Sequence, residues 1–351
     1  MLSPESEVIL RNKELVNTGA WLLVNATDDE IFSHVGDTVV GFHQFYDCYL
    51  SAQKSSARKT ANGQHIFSAF YDDEKSFDGA IIYWPKSKQH GLMLCQHIAT
   101  KIKAQGHLLI VGDNKSGIKS ADKALSKIGF NFNKIDSARH CTLLGTQLVE
   151  PAKSFNSTDW VNSYSFSANT NKLTFETLPG AFSADALDEG TQLLLQDIDG
   201  LFNHLSSGNR VLDFACGNGV IATYIAKHHP QLKLTLSDIN SLAMLCAKRN
   251  LASNHISEDK AKIVASDGMA EIEGKFQVIV SNPPFHSGIK TDYSITEQFI
   301  KDAKAHLTPG GKLRLVANRF LKYPDLLQAH FGNVEVINQN SRFSVYQSHN
   351  R

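Results

Sequence analysis

The sequence predicts an α/β protein of two domains, each a mostly parallel sheet flanked by helices and closed by an antiparallel hairpin. Three observations carry this. Apolar, strand-like runs alternate with helical stretches along the chain. The second half holds a strand, a glycine-rich turn, a helix and a further strand ending in an acid. The outline of that half recurs in the first. At 351 residues the chain is long enough for two domains.

Taken in order, the first half is an outline without the turn. Phe77-Asp78-Gly79-Ala80-Ile81-Ile82-Tyr83-Trp84-Pro85-Lys86 has the shape of the later stretch Phe276 to Phe285. Gly106 to Asn114 matches Gly311 to Arg319, and a helical stretch precedes each, Leu92 to Ala104 and Thr296 to His306. An internal duplication follows. No usable glycine loop surrounds Gly36-Asp37-Thr38-Val39-Val40. Gly112 to Gly117 lacks the G-K-[ST] ending of a phosphate loop and reads as an ordinary strand-to-helix loop. Lys115 within it, with Lys119 and Lys123 after it, read as a solvated face, or as groups facing RNA. Pro151 to Thr158 is the best linker candidate. The expected division is therefore a first domain over 1–150, a linker over 151–165 and a second domain over 166–351.

The second half carries the chemistry. Val211-Leu212-Asp213-Phe214-Ala215-Cys216-Gly217-Asn218-Gly219 reads as a strand and turn, and Val220 to Lys227 as the helix after it. Small residues let a ligand approach the backbone, and the helix start offers free N–H groups. Lys233 to Asp238 reads as the next strand, with its acid about twenty residues on, the spacing of ribose recognition. A pyrophosphate would be repelled by Asp213; an amino or sulfonium group would not. Ile263 to Asp267 reads as a third strand, with Asp267 either an adenine contact or a strand-end turn. Thr308 to Val316 reads as a turn and strand, and Val334–Ile337 with Phe343–Tyr346 as the closing pair.

Between them, Phe276 to Val280 runs into Ser281-Asn282-Pro283-Pro284-Phe285. Two prolines fix φ and remove two donors, so the loop is stiff and rich in acceptors. The Asn282 carbonyl and a backbone carbonyl can both accept from one planar –NH2 group, while Phe285 stacks on its ring. The bland alternative is a turn that only ends a strand. The tetrapeptide resembles that of methyltransferases acting on exocyclic or amide nitrogens, and Asp-x-Ala-Cys-Gly-x-Gly resembles the first motif of class I, Rossmann-like methyltransferases.

Composition narrows the rest. Apolar content is ordinary, and no apolar run is long enough to span a membrane. The start, Met1 to Glu7, lacks the basic and apolar regions of a signal peptide. The five cysteines are scattered without a C-x-x-C pair, so neither a zinc site nor a disulfide framework is indicated. The expectation is a cytoplasmic monomer without metal. Zero net charge is a mild objection to an RNA substrate, but it leaves room for a local basic face.

Over its whole length the chain resembles the small-subunit ribosomal RNA methyltransferase C family. The resemblance rests on Asn282 to Gly288, Leu178-Pro179-Gly180-Ala181-Phe182-Ser183, and Arg314 to Asn318 followed by Tyr323-Pro324. It implies tandem methyltransferase-like domains, each with a seven-stranded sheet, the first inactive and serving folding support and RNA binding. It implies S-adenosylmethionine as cofactor, and as substrate the N2 amine of one guanosine in helix 34 of 16S rRNA. Asp213, Ala215, Gly217, Gly219, Asp238, Asp267 and Asn282 would then line the cofactor pocket, closed by Phe182 and Ser183. Asn282, Pro283 and Phe285 would carry the chemistry. Phe285, His286, Lys290, Arg314 and Arg319 would meet RNA, with Lys322 and Arg342 as further candidates. Ser287 departs from the family, which often has an acid there.

Three other readings remain at this point. An adenine-N6 or glutamine-amide methyltransferase uses the same loop. An NAD-dependent oxidoreductase is opposed by Asp213 and by the lack of an obvious Lys, Tyr or His set. A non-enzymatic RNA-binding or assembly protein would not need an intact loop and acid.

Overall fold

The computed structural model describes residues 1–58, 64–152, 154–168, 171–183, 186–283 and 293–351. The chain divides into two compact units, Met1–Val161 with Leu178–Gly180, and Asn162–Thr177 with Ala181–Arg351. One boundary, between Val161 and Asn162, lies within the stretch 151–165 expected as linker, while the short stretch Leu178–Gly180 groups with the first unit and lies outside it.

In the first unit the strands are β1 (Ala20–Val24), β2 (Thr38–His43), β3 (Gln64–Phe67), β4 (Phe77–Tyr83), β5 (Ile102–Asp113), β6 (Asn133–Ala138) and β7 (Cys141–Gln147). The helices are α1 (Pro4–Leu10), α2 (Tyr46–Arg58), α3 (Lys88–Ala99) and α4 (Ala121–Ser126). The sheet order is β3-β2-β1-β4-β5-β7-β6, with β7 alone antiparallel to its neighbours. Alternate side chains serve opposite faces. Leu22, Val24, Ala80 and Ile82 pack against α3 through Leu94 and Ile98. Trp21, Leu23 and Ile81 pack against Val8 and Ile9 of α1. Burial on both faces is why these parallel strands are nearly all apolar.

The second unit starts with an antiparallel pair, β8 (Asn162–Ala168) and β9 (Asn171–Thr177). Its sheet holds β10 (Arg210–Phe214), β11 (Lys233–Asp238), β12 (Ala261–Ala265), β13 (Phe276–Ser281), β14 (Leu307–Asn318), β15 (Glu335–Gln339) and β16 (Phe343–His349). Its helices are α5 (Glu189–Gln196), α6 (Val220–His228), α7 (Ser241–Ser253), α8 (Tyr293–His306) and α9 (Tyr323–Phe331). The order β12-β11-β10-β13-β14-β16-β15 repeats that of the first unit, and again one strand, β16, runs antiparallel to its neighbours. Even the irregularities recur. The register slips between Phe77 and Gly79 in one copy and between Phe276 and Val278 in the other. The duplication read from the sequence is thus present in topology.

Two elements differ from expectation. The helical stretch to Ala104 stops at Ala99, because β5 already begins at Ile102. The β8–β9 pair was not anticipated. It is tied to α7 by Asn250, whose side chain bonds Glu176 N and O at 2.7 and 2.9 Å, and by Asn254 donating to Thr174 O at 2.9 Å.

Candidate active site

The strand order of the second unit reverses between β10 and β13, and such a switch point opens a crevice at the carboxyl ends of the strands. Both sequence motifs emerge there. Ser281 Oγ donates to Phe214 O at 2.8 Å, joining the ends of β13 and β10 side by side.

The turn after β10 needs its small residues. Ala215, Gly217 and Gly219 have φ of 55°, 54° and 81°. Gly219 N donates to Cys216 O at 2.9 Å, closing the turn as α6 begins. A Cβ on Gly219 would lie 3.0 Å from Ala247 Cβ of α7; one on Gly217 would meet nothing nearer than Phe182 Cβ at 3.6 Å. Gly219 therefore serves packing, and Gly217 leaves the backbone open.

Asp238 ends β11 and braces the turn. Its Oδ2 accepts from Gly217 N at 2.8 Å and its Oδ1 from Asn240 N at 2.9 Å. Burial raises its pKa, and these backbone donors oppose the rise. Asp213 differs from the sequence reading, which set its carboxylate against a cationic ligand. The side chain is 0 % exposed. Its Oδ2 accepts from Ala222 N of α6 at 3.0 Å, so it holds helix to strand beneath the turn. Burial pushes its pKa up to about 8; the Ala222 N–H opposes the rise and Asp238 adds to it.

A cleft opens above the turn, with Ala215, Phe182, Ser183, Asp188, Thr191 and Asn282 in its wall. Phe182 is 52 % exposed at its mouth. Asn218 donates to Tyr164 Oη at 2.9 Å, anchoring the turn to β8. Asn282 follows β13 directly, and its Nδ2 donates to Asp188 Oδ2 at 2.8 Å and to Thr191 Oγ1 at 2.9 Å. Pro283 is buried beside it. Asp267 stands exposed past the end of β12, outside the cleft wall. Phe285, His286 and Lys290 lie outside the described residues.

The expected RNA contacts divide. Arg314 is only 5 % exposed and cannot present itself to a phosphate. Strand alternation turns it toward α5, where it donates to Asp197 O at 2.7 Å and to Gln347 Oε1. Asp197 is the C-cap of α5, so this arginine satisfies a helix-end carbonyl. Arg319 and Lys322 are exposed past β14, and so is Phe320, at 77 %. Arg319 N donates to Arg342 O at 2.9 Å, which brings Arg342 to the same edge, where it pairs with Glu189 at 2.8 Å.

Sequence reasoning missed Asp188, Thr191, Tyr164 and Phe320. A signal existed for the first two. Asp-x-x-Thr before the apolar run Leu193-Leu194-Leu195 is a helix N-cap pattern. The missing observation was that this cap abuts Asn282.

The first unit fills the equivalent place with its own side chains. Asn25, after β1, takes φ 54° as Ala215 does. It exchanges hydrogen bonds with Gln44 at 2.7 and 3.0 Å, and His90 Nε2 donates to Gln44 Oε1 at 2.7 Å. All three are buried. Tyr83 and Trp84 stand where the second unit has Asn282 and Pro283. A separate hollow in this unit, lined by residues such as His107, Asn133 and Gln147, holds none of these motifs. Among the described residues no helix is long and apolar enough to cross a membrane, and no group of three or more His, Cys, Asp or Glu is arranged to hold a metal ion.

Comparison with known proteins agrees with this architecture. The family model described as Methyltransferase small domain matches residues 172–347, and that described as Methyltransferase small domain N-terminal matches residues 6–164. The ribosomal RNA small subunit methyltransferase C of Pseudoalteromonas atlantica is 44% identical, over 99% of both chains. Those of Alteromonas mediterranea and Photorhabdus laumondii are each 40% identical, over 99% of this chain and 99% and 98% of theirs. A solved T. thermophilus 16S rRNA N2 G1207 methyltransferase, in complex with AdoMet and guanosine, superposes with a TM-score of 0.80. It covers 99% of this chain and 92% of that one at 21% identity, a likeness of fold. With such relatives across its whole length, the chain belongs to the ribosomal RNA small subunit methyltransferase C family.

Proposed function

We propose that this protein transfers the methyl group of S-adenosylmethionine to the exocyclic N2 amine of a guanosine of 16S rRNA in the small ribosomal subunit. The observation that carries the reading is the meeting, at one switch point, of the glycine turn after β10 with Asn282-Pro283 after β13, bridged by Ser281. The names of the full-length relatives supply the substrate class. The solved T. thermophilus protein of the same fold acts on G1207, and the same nucleotide is proposed here.

The residues present fit the cofactor. Gly217 leaves space where a side chain would begin, and Asp238 keeps acceptor capacity for a ribose hydroxyl beyond the backbone N–H groups of Gly217, Ile239 and Asn240 that it accepts. Ala215, Phe182 and Ser183 border the same cleft, and Asp267, at the end of β12, is assigned the adenine. Gly219 and Asp213 shape this cradle from beneath. When bound, S-adenosylmethionine supplies an electrophilic methyl group on a sulfonium.

The chain's own part is positioning. A paired guanine hides N2 in the minor groove, so the base must be flipped toward the cleft. Asn282 Oδ1 and the Pro283 carbonyl accept the two amine protons, which favours a pyramidal nitrogen and aims its lone pair. Phe285 is assigned the stacking role on sequence grounds. The proton leaves after attack, so no strong general base is required, and His286 is read as a structural or substrate contact. Arg319, Lys322 and Arg342, beside the exposed ring of Phe320, form the edge assigned to RNA. The described groups that line the cleft come from one unit of one chain, so a monomer suffices, and a ribosomal substrate makes the cytoplasm its place of action.

The test is methyl transfer from labelled S-adenosylmethionine to unmodified small subunits and to free 16S rRNA, with nucleoside analysis. N2-methylguanosine is expected. N6-methyladenosine, or label only in protein, would overturn the assignment. Asn282→Ala should abolish most turnover while cofactor binding persists; unchanged turnover would remove Asn282 from its role.

A further inference from the structure

Asn282 is held by a helix cap. Asp188 is the N-cap of α5, and its Oδ2 accepts from Thr191 N at 3.0 Å. The same oxygen accepts from Asn282 Nδ2 at 2.8 Å, and Thr191 Oγ1 accepts from that nitrogen at 2.9 Å. A primary amide has two donors on nitrogen and only acceptor capacity on oxygen. Both donors are spent on α5. Turning the amide over would set its oxygen against a carboxylate oxygen at that 2.8 Å separation, with no proton between them. A hydrogen bond to a charged acceptor is about twice as strong as a neutral one, so this sense of the amide is strongly preferred.

The first unit keeps the link without the amide. Ser3 is the N-cap of α1, and Ser6, three residues on, meets Tyr83 Oη through its hydroxyl. The tie between helix cap and strand end is therefore scaffold. The second unit adds an amide whose direction matters.

We propose that Asp188 and Thr191 are positioning residues for methyl transfer. They lock the Asn282 amide so that only its oxygen is offered to substrate. The site then takes a base edge that presents an amine and disfavours one that presents a carbonyl. The inference rests on the assigned reaction and deepens it.

The alternatives are that both residues merely cap α5 or touch cofactor, since both border the cleft. The experiment compares single-turnover methyl transfer to small subunits, cofactor Kd and melting temperature in the full chain. Thr191→Val should slow transfer by about tenfold, the worth of one hydrogen bond to an oriented group, with little change in cofactor Kd or melting. Thr191→Ser should restore the rate. In an Asn282→Ala background, Thr191→Val should cost nothing further, because it acts through Asn282. An equal loss in that background, or an effect wholly in cofactor Kd, would overturn the proposal. The exchange pair covers a background too slow to read. Asn282→Asp places two carboxylates together and should be inactive. Adding Asp188→Asn turns a donor toward the new carboxylate, at the cost of the bond from Thr191 N that the same atom accepted, and should recover transfer in part; no recovery with an unchanged melting temperature would overturn the proposal. Full activity of Asn282→Ala would remove Asn282 from its role and overturn this proposal with it, whereas a product other than N2-methylguanosine would instead sink the reaction assignment on which it rests.

Discussion

Gly219→Ala puts a methyl group into the tightest contact of the candidate site. At φ 81° an L-residue pays roughly 1–2 kcal/mol for the left-handed backbone. The new Cβ would also lie 3.0 Å from Ala247 Cβ and 3.1 Å from Ala247 Cα. Carbon contacts are comfortable at about 3.5–4.0 Å. Neither neighbour is a flexible side-chain end, so α6 and α7 must part by a few tenths of an ångström. Overpacking of this kind costs about 1–3 kcal/mol, which brings the whole to roughly 2–5 kcal/mol. Gly208→Ala is the control. It too has positive φ, 83°, but nothing lies within 4 Å of its Cβ position, so only the backbone part remains. Melting should be followed by far-UV circular dichroism. All three tryptophans, Trp21, Trp84 and Trp160, fall in the first unit, so their fluorescence reports that unit and not this one. At about 2–4 °C per kcal/mol, the packing part of about 1–3 kcal/mol should set the Gly219→Ala transition about 2–12 °C below that of Gly208→Ala. Cofactor affinity should fall with it, because the turn rides on α6. Equal midpoints for the two variants would refute the packing argument.

The remaining predictions concern charge. Burial lifts the Asp213 carboxyl from 3.8 to about 8. A folded-state value above the unfolded one means stability complete below about pH 4 and lost as pH rises through about 8. Wild type should therefore lose up to about 1.4 kcal/mol per pH unit across that window relative to Asp213→Asn, whose side-chain oxygen can still accept from Ala222 N; parallel pH profiles would refute the buried acid. Arg314→Met should cost about 2–4 kcal/mol by stranding Asp197 O and Gln347, while RNA affinity and its salt dependence stay unchanged; a flatter salt slope would return Arg314 to the RNA face. Arg319→Ala and Lys322→Ala should each weaken RNA binding and reduce the slope of log K against log salt by about 0.7–0.9, and a slope that does not move would clear that edge of RNA.

Much of this was legible because the deciding interactions are local. The strand cores from Val211 to Phe214 and from Phe276 to Ser281 needed only apolar runs bounded by turn residues. The turn needed only closely spaced small residues, and the order of the duplicated elements survived the loss of its glycines in the first copy. Where local pattern was ambiguous, the reading slipped. Lys101 to Ala104 looked like more helix, because nothing short-range shows that β5 must start early to keep the register slip opposite Phe77. The pair β8–β9 is polar on one side, and its other side is an anchor through the buried Leu173 and Phe175, through Asn218 on Tyr164 and through the carboxamides of α7.

The sequence by itself determined the fold class, the duplication, the glycine turn with its two acids, and the Asn-Pro loop that must lie near them. Each follows from residue type and spacing along a few turns of chain. Only the tertiary structure decided what those groups face. It buried Asp213 beneath the turn it was expected to look out from, and it turned Arg314 into the cap of α5. It also brought Asp188 and Thr191 against Asn282, 94 and 91 residues later in the chain. Hydrogen-bond direction depends on which atoms meet across the fold, and no spacing along the chain encodes that.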